Sequence, residues 1–219
     1  MFDGRRTDDR TDSANATGAG QTMSRRGLLR AAGGAAATGL VGSIAGCTGG
    51  GGGGQSADRE VYVVAFHWGF RQITPDGEVV DTLDLSTGQT LAIHGVNLEP
   101  IAEGEELDIP DAVYQAAKEN YKDWEHASVQ RIAEATGSSV DSWESKLAEA
   151  EEQYKTHGLG VTGPGGDTVA DVTLPGDMTA PVTKTVTVDS TGEYGYVCTE
   201  YCGPGHTHMQ LNGALTVQG

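Results

Sequence analysis

The chain has 219 residues, with 31 acidic against 14 basic side chains and a formal net charge of −17 at pH 7. A surface of that sign excludes electrostatic capture of nucleic acid or of an anionic membrane face. It suits strong salt, where repulsion between like charges is screened within a few ångströms.

Residues 1–46 read as an N-terminal extension and an export signal. "SRRGLLR" sets Arg25 beside Arg26, and a run of small and apolar residues follows up to Cys47. A charged region, an apolar stretch and a small-residue end make such a signal, and the paired arginines resemble the twin-arginine kind. "IAGC" resembles a lipobox, with Cys47 as the lipid-bearing first residue of the mature protein. The alternative, an uncleaved anchor, has only the 16 residues from Ala31 to Gly46 to cross with, short for a bilayer. Residues 47–59 are a Gly-rich tether. The reading therefore places residues 60–219 at the extracytoplasmic face of the cell membrane, held by a lipid anchor. From Cys47 onward 8 basic residues stand against 27 acidic ones.

In chain order, "REVYVVAFHWGF" and "GQTLAIHGVNL" are strand-like runs rich in Val and aromatic residues. Then the pattern changes. Val113, Ala117, Tyr121, Trp124, Ser128 and Ile132 share one face of a helix that starts near Asp111 and stops at Gly137. A second helix is predicted from Asp141, capped with Glu144, through Trp143, Leu147, Ala150 and Tyr154 to a stop at Gly158. His126 and His157 fall among charged residues in this reading, as exposed structural groups. After Pro181, "VTKTVTV", "YGYVC" and "GALTVQG" return to strands. The prediction is an all-β Greek-key sandwich with an inserted α-helical hairpin at about residues 100–165.

The chemistry is concentrated in "CTEYCGPGHTHM", which spaces Cys198, Cys202, His206 and Met209 as C-x3-C-x3-H-x2-M. A disulfide is natural in an exported protein but leaves the histidine and methionine without a role. Zinc takes Cys and His, but thioether is a poor zinc ligand. Thiolate, imidazole and thioether together suit copper. One copper leaves a thiolate unused, whereas two coppers bridged by both sulfurs use every ligand if a further histidine arrives from elsewhere. His94, closing the strand "LAIHG", is the candidate, and His67 its competitor.

The loop resembles that of the CuA domain of cytochrome c oxidase subunit II, in the short form of ba-type heme–copper oxidases. The family's C-x-E-x-C-G-x-x-H-x-x-M pattern is met at every fixed position from Cys198 to Met209. "TVTVDSTGEYGYVC" resembles the approach to that loop, "VYVVAFHWGF" the first strand, and "AIHG" the first copper histidine. The acidic composition looks haloarchaeal. The resemblance implies a cupredoxin-like fold and a binuclear copper centre (CuA). Cys198 and Cys202 would bridge both metals, His94 and His206 would bind one each, Met209 would be a weak axial ligand, and Glu200 would offer its backbone carbonyl. His208 has no implied role. About 104 positions separate His94 from Cys198, roughly three times the family's interval.

The function this implies is electron entry into a terminal oxidase. The chain would accept electrons from a small copper protein or cytochrome c and pass them to heme in subunit I, with no catalytic acid–base site of its own. A free-standing, membrane-tethered CuA carrier, or a copper-binding protein outside any oxidase, is the alternative reading.

Overall fold

The computed structural model describes residues 56–219, so the export signal, Cys47 and most of the tether lie outside the described residues. Among the described residues ten strands form two five-stranded sheets, the all-β sandwich expected from the sequence. The first sheet contains β1 (Arg59–Phe66), β2 (Gly69–Ile73), β3 (Val79–Val80), β5 (Thr90–Asn97) and β8 (Val182–Thr187), in the order β3-β2-β1-β5-β8. The second contains β4 (Leu83–Ser86), β6 (His157–Thr162), β7 (Thr168–Leu174), β9 (Gly192–Val197) and β10 (Gln210–Gln218), in the order β4-β10-β9-β6-β7.

Strand alternation decides which side chains enter the space between the sheets. Val61, Val63 and Ala65 of β1 and Leu91 and Ile93 of β5 face inward, where they meet Leu159, Tyr196 and Leu215 of the second sheet in one apolar cluster. A buried polar tie crosses the sandwich. The Tyr196 hydroxyl donates to Gln72 Oε1 at 2.9 Å, and Gln72 Nε2 donates to the Ala214 carbonyl at 2.9 Å. Both polar ends of the amide are thereby satisfied.

The run read as one strand over residues 59–70 is a hairpin. His67 and Trp68 make the turn between β1 and β2, and Trp68 takes the left-handed backbone, with φ of 67°. A non-glycine residue in that region is uncommon, and the contacts described below hold it there.

The helical insertion is present, with different bounds. It comprises α1 (Glu99–Glu103), α2 (Asp111–Thr136) and α3 (Val140–Gln153), all between β5 and β6. Its predicted faces hold: Val113, Ala117, Trp124, Ser128 and Ile132 of α2 are buried, as are Trp143 and Ala150 of α3. Ser139, not Asp141, caps α3, its side chain accepting from the Ser142 N–H. The insertion ends before residue 157. The Gly158 read as a helix stop sits inside β6, a strand the sequence reading missed because its charged approach continues the helical pattern.

Candidate metal centre

Cys198 follows the last residue of β9, and its N–H donates to the Met209 carbonyl at 3.0 Å, closing the loop that carries the motif. Cys198 Sγ lies 3.6 Å from Cys202 Sγ, and both thiols are free. That separation is far beyond the ~2.05 Å of a disulfide, so both sulfurs remain available as ligands. Cys202 Sγ is 3.4 Å from Met209 Sδ and 3.7 Å from His206 Nδ1, and the Glu200 carbonyl oxygen is 3.0 Å from Cys198 Sγ. The five loop residues singled out in the sequence therefore converge.

The sixth does not. His94 faces away from the inter-sheet core, because its neighbour Ile93 faces into it. Its ring stacks on Tyr62 at 4.7 Å, its Nδ1 is 2.8 Å from the Thr183 hydroxyl, and its Nε2 is 3.7 Å from a Glu60 carboxylate oxygen. The imidazole beside the thiols is His157: its ligand atom and the sulfurs of Cys198 and Cys202 all lie within 4.8 Å of one another. His157 is 1% exposed, the reverse of the exposed helical residue read from the sequence. Its Nδ1, like Nε2 of His94, is buried without a hydrogen-bond partner among the described residues, but only His157 lies beside the thiols. A buried polar nitrogen left unpaired is costly, and a metal would satisfy it.

A usable signal for His157 existed. The dipeptide His-Gly occurs at 94–95 and again at 157–158. The second lies 41 positions before Cys198, close to a third of the 104 that made His94 discordant.

Backbone close approach brings His157 to the loop. β6 pairs with β9 with Gly160 opposite Val197, which lays Gly158 against residues 199 and 200. A Cβ at Gly158 would overlap the Thr199 hydroxyl and the Glu200 amide nitrogen. At the other end of β5, Asn97 is fully buried and donates to the carbonyls of Lys155 at 2.8 Å and Leu174 at 3.0 Å, pinning the approach to β6.

Trp68 supports the opposite side. Its indole N–H donates to the Cys202 carbonyl at 3.3 Å, and its ring fills the space a side chain at Gly205 would need. Trp143 of α3 meets Trp68 edge-on at 5.4 Å and His208 at 6.4 Å. Tyr154 packs on Tyr201, which in turn lies against His206. His67, the competitor for the copper, is instead a wall. Its Nε2 lies 3.0 Å from the Tyr154 carbonyl oxygen, and its ring meets His157 edge-on at 5.0 Å. Burial, then the neighbouring His157, pulls its pKa down to about 4, so it stays neutral.

The two sulfurs pull each other's pKa in opposite directions. The contact between them lowers the pKa of Cys198, and the same contact together with burial pushes Cys202 up. Two thiols, an imidazole and a thioether gathered at one loop are a soft donor set, and it fits copper.

No family model matches the chain, and neither does any curated protein compared with it. Solved structures do resemble it. The periplasmic domain of cytochrome oxidase subunit II (CoxB) of Bradyrhizobium japonicum is 11% identical over 75% of this chain and 86% of its own, with a TM-score of 0.38. A chain of a heme–copper terminal oxidase dimer is 15% identical over 87% and 86%, also at 0.38. Auracyanin A, a blue copper protein of Chloroflexus aurantiacus, is 15% identical over 73% and 98%, at 0.34. At such identities and scores none of them assigns a ligand or partner to this chain.

Proposed function

We propose that residues 60–219 are an electron-transfer domain built around a binuclear copper centre of the CuA type. The observation that carries this reading is the pair of free sulfurs of Cys198 and Cys202, 3.6 Å apart, with His157 beside them and Met209 Sδ and His206 Nδ1 on Cys202. Cys198 and Cys202 would bridge two coppers, His157 and His206 would hold one each, Met209 would be axial, and the Glu200 carbonyl would complete the set. Two coppers so bound would supply a one-electron store spread over both metals.

The protein's own contribution is preorganisation. The ligands come from one loop and one neighbouring strand, and Trp68, Gly158 and the Cys198–Met209 backbone bond fix them before metal arrives. Met209 and Cys202 are buried, at 2% and 0% exposure, so water is kept from the sulfurs. His206 is half-buried beside Tyr201, which is 61% exposed, and that edge is the natural contact for a redox partner.

The role that fits best is electron entry into a terminal heme–copper oxidase at the extracytoplasmic face. A small copper protein or cytochrome c would be the donor, and heme in subunit I the acceptor. Copper titration of the purified chain tests the centre: the expected result is two coppers per chain and a mixed-valence EPR signal shared by both. One copper with a mononuclear signal would refute it. Affinity purification from native membranes tests the role, with heme expected in the eluate. A copper-loaded protein recovered free of heme would favour the free-standing carrier.

A further inference from the structure

A cavity of about 380 Å3 opens between β2, α2 and the start of β10, away from the sulfurs. Arg71 and Arg131 line it, with Ser128 on its wall and Gln210 and Asn212 at its rim. These are two of only three arginines in residues 56–219, a stretch with 27 carboxylate side chains. Neither forms an ion pair among the described residues. Arg71 Nη1 donates to the Phe70 carbonyl and Arg131 Nη2 to the Trp68 carbonyl, each at 2.9 Å. A guanidinium carries five N–H donors in a fixed fork, so most of each fork is unspent. Asp81 attracts Arg71 from beyond ion-pair distance. Arg131 is exposed, and partial burial of its guanidinium and then the repulsion of Arg71 lower its pKa.

Two guanidiniums facing one cavity, neither paired with any of the abundant carboxylates among the described residues, leave a place where an anion would offset their repulsion. We propose that this cavity is a binding site for a phosphate-type oxyanion, bridged between Arg71 and Arg131. A carboxylate satisfies one fork bidentately, whereas a phosphate has oxygens enough for two. The site would sit two hydrogen bonds from the candidate metal loop, since Arg131 holds the Trp68 carbonyl and Trp68 holds that of Cys202. The source of the phosphate is a free ion or a lipid headgroup. The acidic surface disfavours an anionic bilayer.

The test is calorimetric titration of the full-length chain with inorganic phosphate, using sodium chloride and sodium acetate as controls. Vesicles of phosphatidylglycerol, against phosphatidylcholine, form the second arm. Saturable phosphate binding of one ion per chain is expected. It should be weakened several-fold in Arg71→Gln and in Arg131→Gln and lost in the double variant, with thermal unfolding showing that each variant is folded. Vesicle binding that needs both arginines would support the site with a lipid source. Phosphate binding no tighter than chloride, with no arginine-dependent vesicle binding, would overturn the proposal. So would binding that survives in the double variant. Neither result touches the copper reading, because Arg71 and Arg131 are not among its ligands.

Discussion

His157 opens β6 and Cys198 follows directly on β9, its neighbour in the sheet, so the pairing of the two strands brings the imidazole beside the sulfur across 41 positions of sequence. His94, by contrast, has its ring nitrogens directed at Thr183 and Glu60. His157→Ala should therefore abolish the two-copper EPR signal, while His94→Ala should leave it intact. Metal analysis alongside EPR distinguishes loss of one copper from loss of both. The reverse pair of results would return the ligand role to β5.

The loop ligands should not matter equally. In the proposed centre each cysteine sulfur would bridge both coppers, so Cys198→Ser or Cys202→Ser should eliminate the binuclear signature. Met209 offers a neutral thioether, a ligand that tunes more than it holds. Met209→Leu should retain two coppers per chain and shift the midpoint potential. Redox titration followed by absorbance reads this directly, and copper lost from the leucine variant would contradict it.

Gly158 is demanded by approach and not by its φ. A methyl group there would run into the Thr199 hydroxyl and the Glu200 amide nitrogen. Overpacking of this kind typically costs about 1–3 kcal/mol. Gly158→Ala should lower the denaturant midpoint by that order and weaken copper binding, because the displaced segment lies between Cys198 and Cys202. An unchanged midpoint with unchanged copper affinity would show that the loop gives way freely.

How far the sequence reached follows from where each constraint lies along the chain. Cys198, Cys202, His206 and Met209 were legible because one loop supplies all four and soft donors in that spacing have few other uses. The helical faces of α2 and α3 were legible because burial imposes a period of 3.6 on Val113, Ala117, Trp124 and Ile132. His157 was not, because its role depends on a strand pairing between distant segments. The six-residue β6 has Gly at two of its positions and follows a charged helix after three intervening residues. The turn at Trp68 was hidden too, since an apolar run is broken there by contacts with Cys202 and Arg131 that no local pattern announces.

Glu125 should make stability fall with pH. It lines a cavity of about 310 Å3 that Glu99, Glu151, Lys122 and His67 also face. Burial, then the charges of Glu151 and Glu99, raises its pKa from the ordinary 4.5 to about 8, and Lys122 offsets only part of this. The folded state therefore binds the Glu125 proton more tightly than the unfolded chain does. That contribution is fully present below pH 4.5 and is lost as pH rises through about 8. Urea midpoints at pH 5 and pH 8 should differ in that sense, and Glu125→Gln should reduce the difference. A variant with the same pH dependence as the parent would place the titration elsewhere.

The insertion should prove inseparable from the metal site. Val129, Ile132 and Ala133 of α2 and Trp143 and Ala150 of α3 belong to the same apolar cluster as Cys198, Cys202 and Met209. Ala150 and Tyr154 also stand where any side chain at Gly203 would have to go, so α3 is the outer wall of the loop. Long insertions between strands are tolerated when they loop into solvent, but this one removes core surface from water. Trp143→Ala should cost about 3–5 kcal/mol, the usual range for a buried large aromatic. It should also loosen Trp68 and with it the Cys202 carbonyl. Replacing residues 99–155 with a short Gly-rich turn should then yield a chain that neither folds cooperatively nor binds copper, as read by thermal unfolding and metal analysis. A folded two-copper domain from that deletion would mean the sandwich closes over the loop without its helices, and the packing of Trp143 on Trp68 would be incidental to the centre.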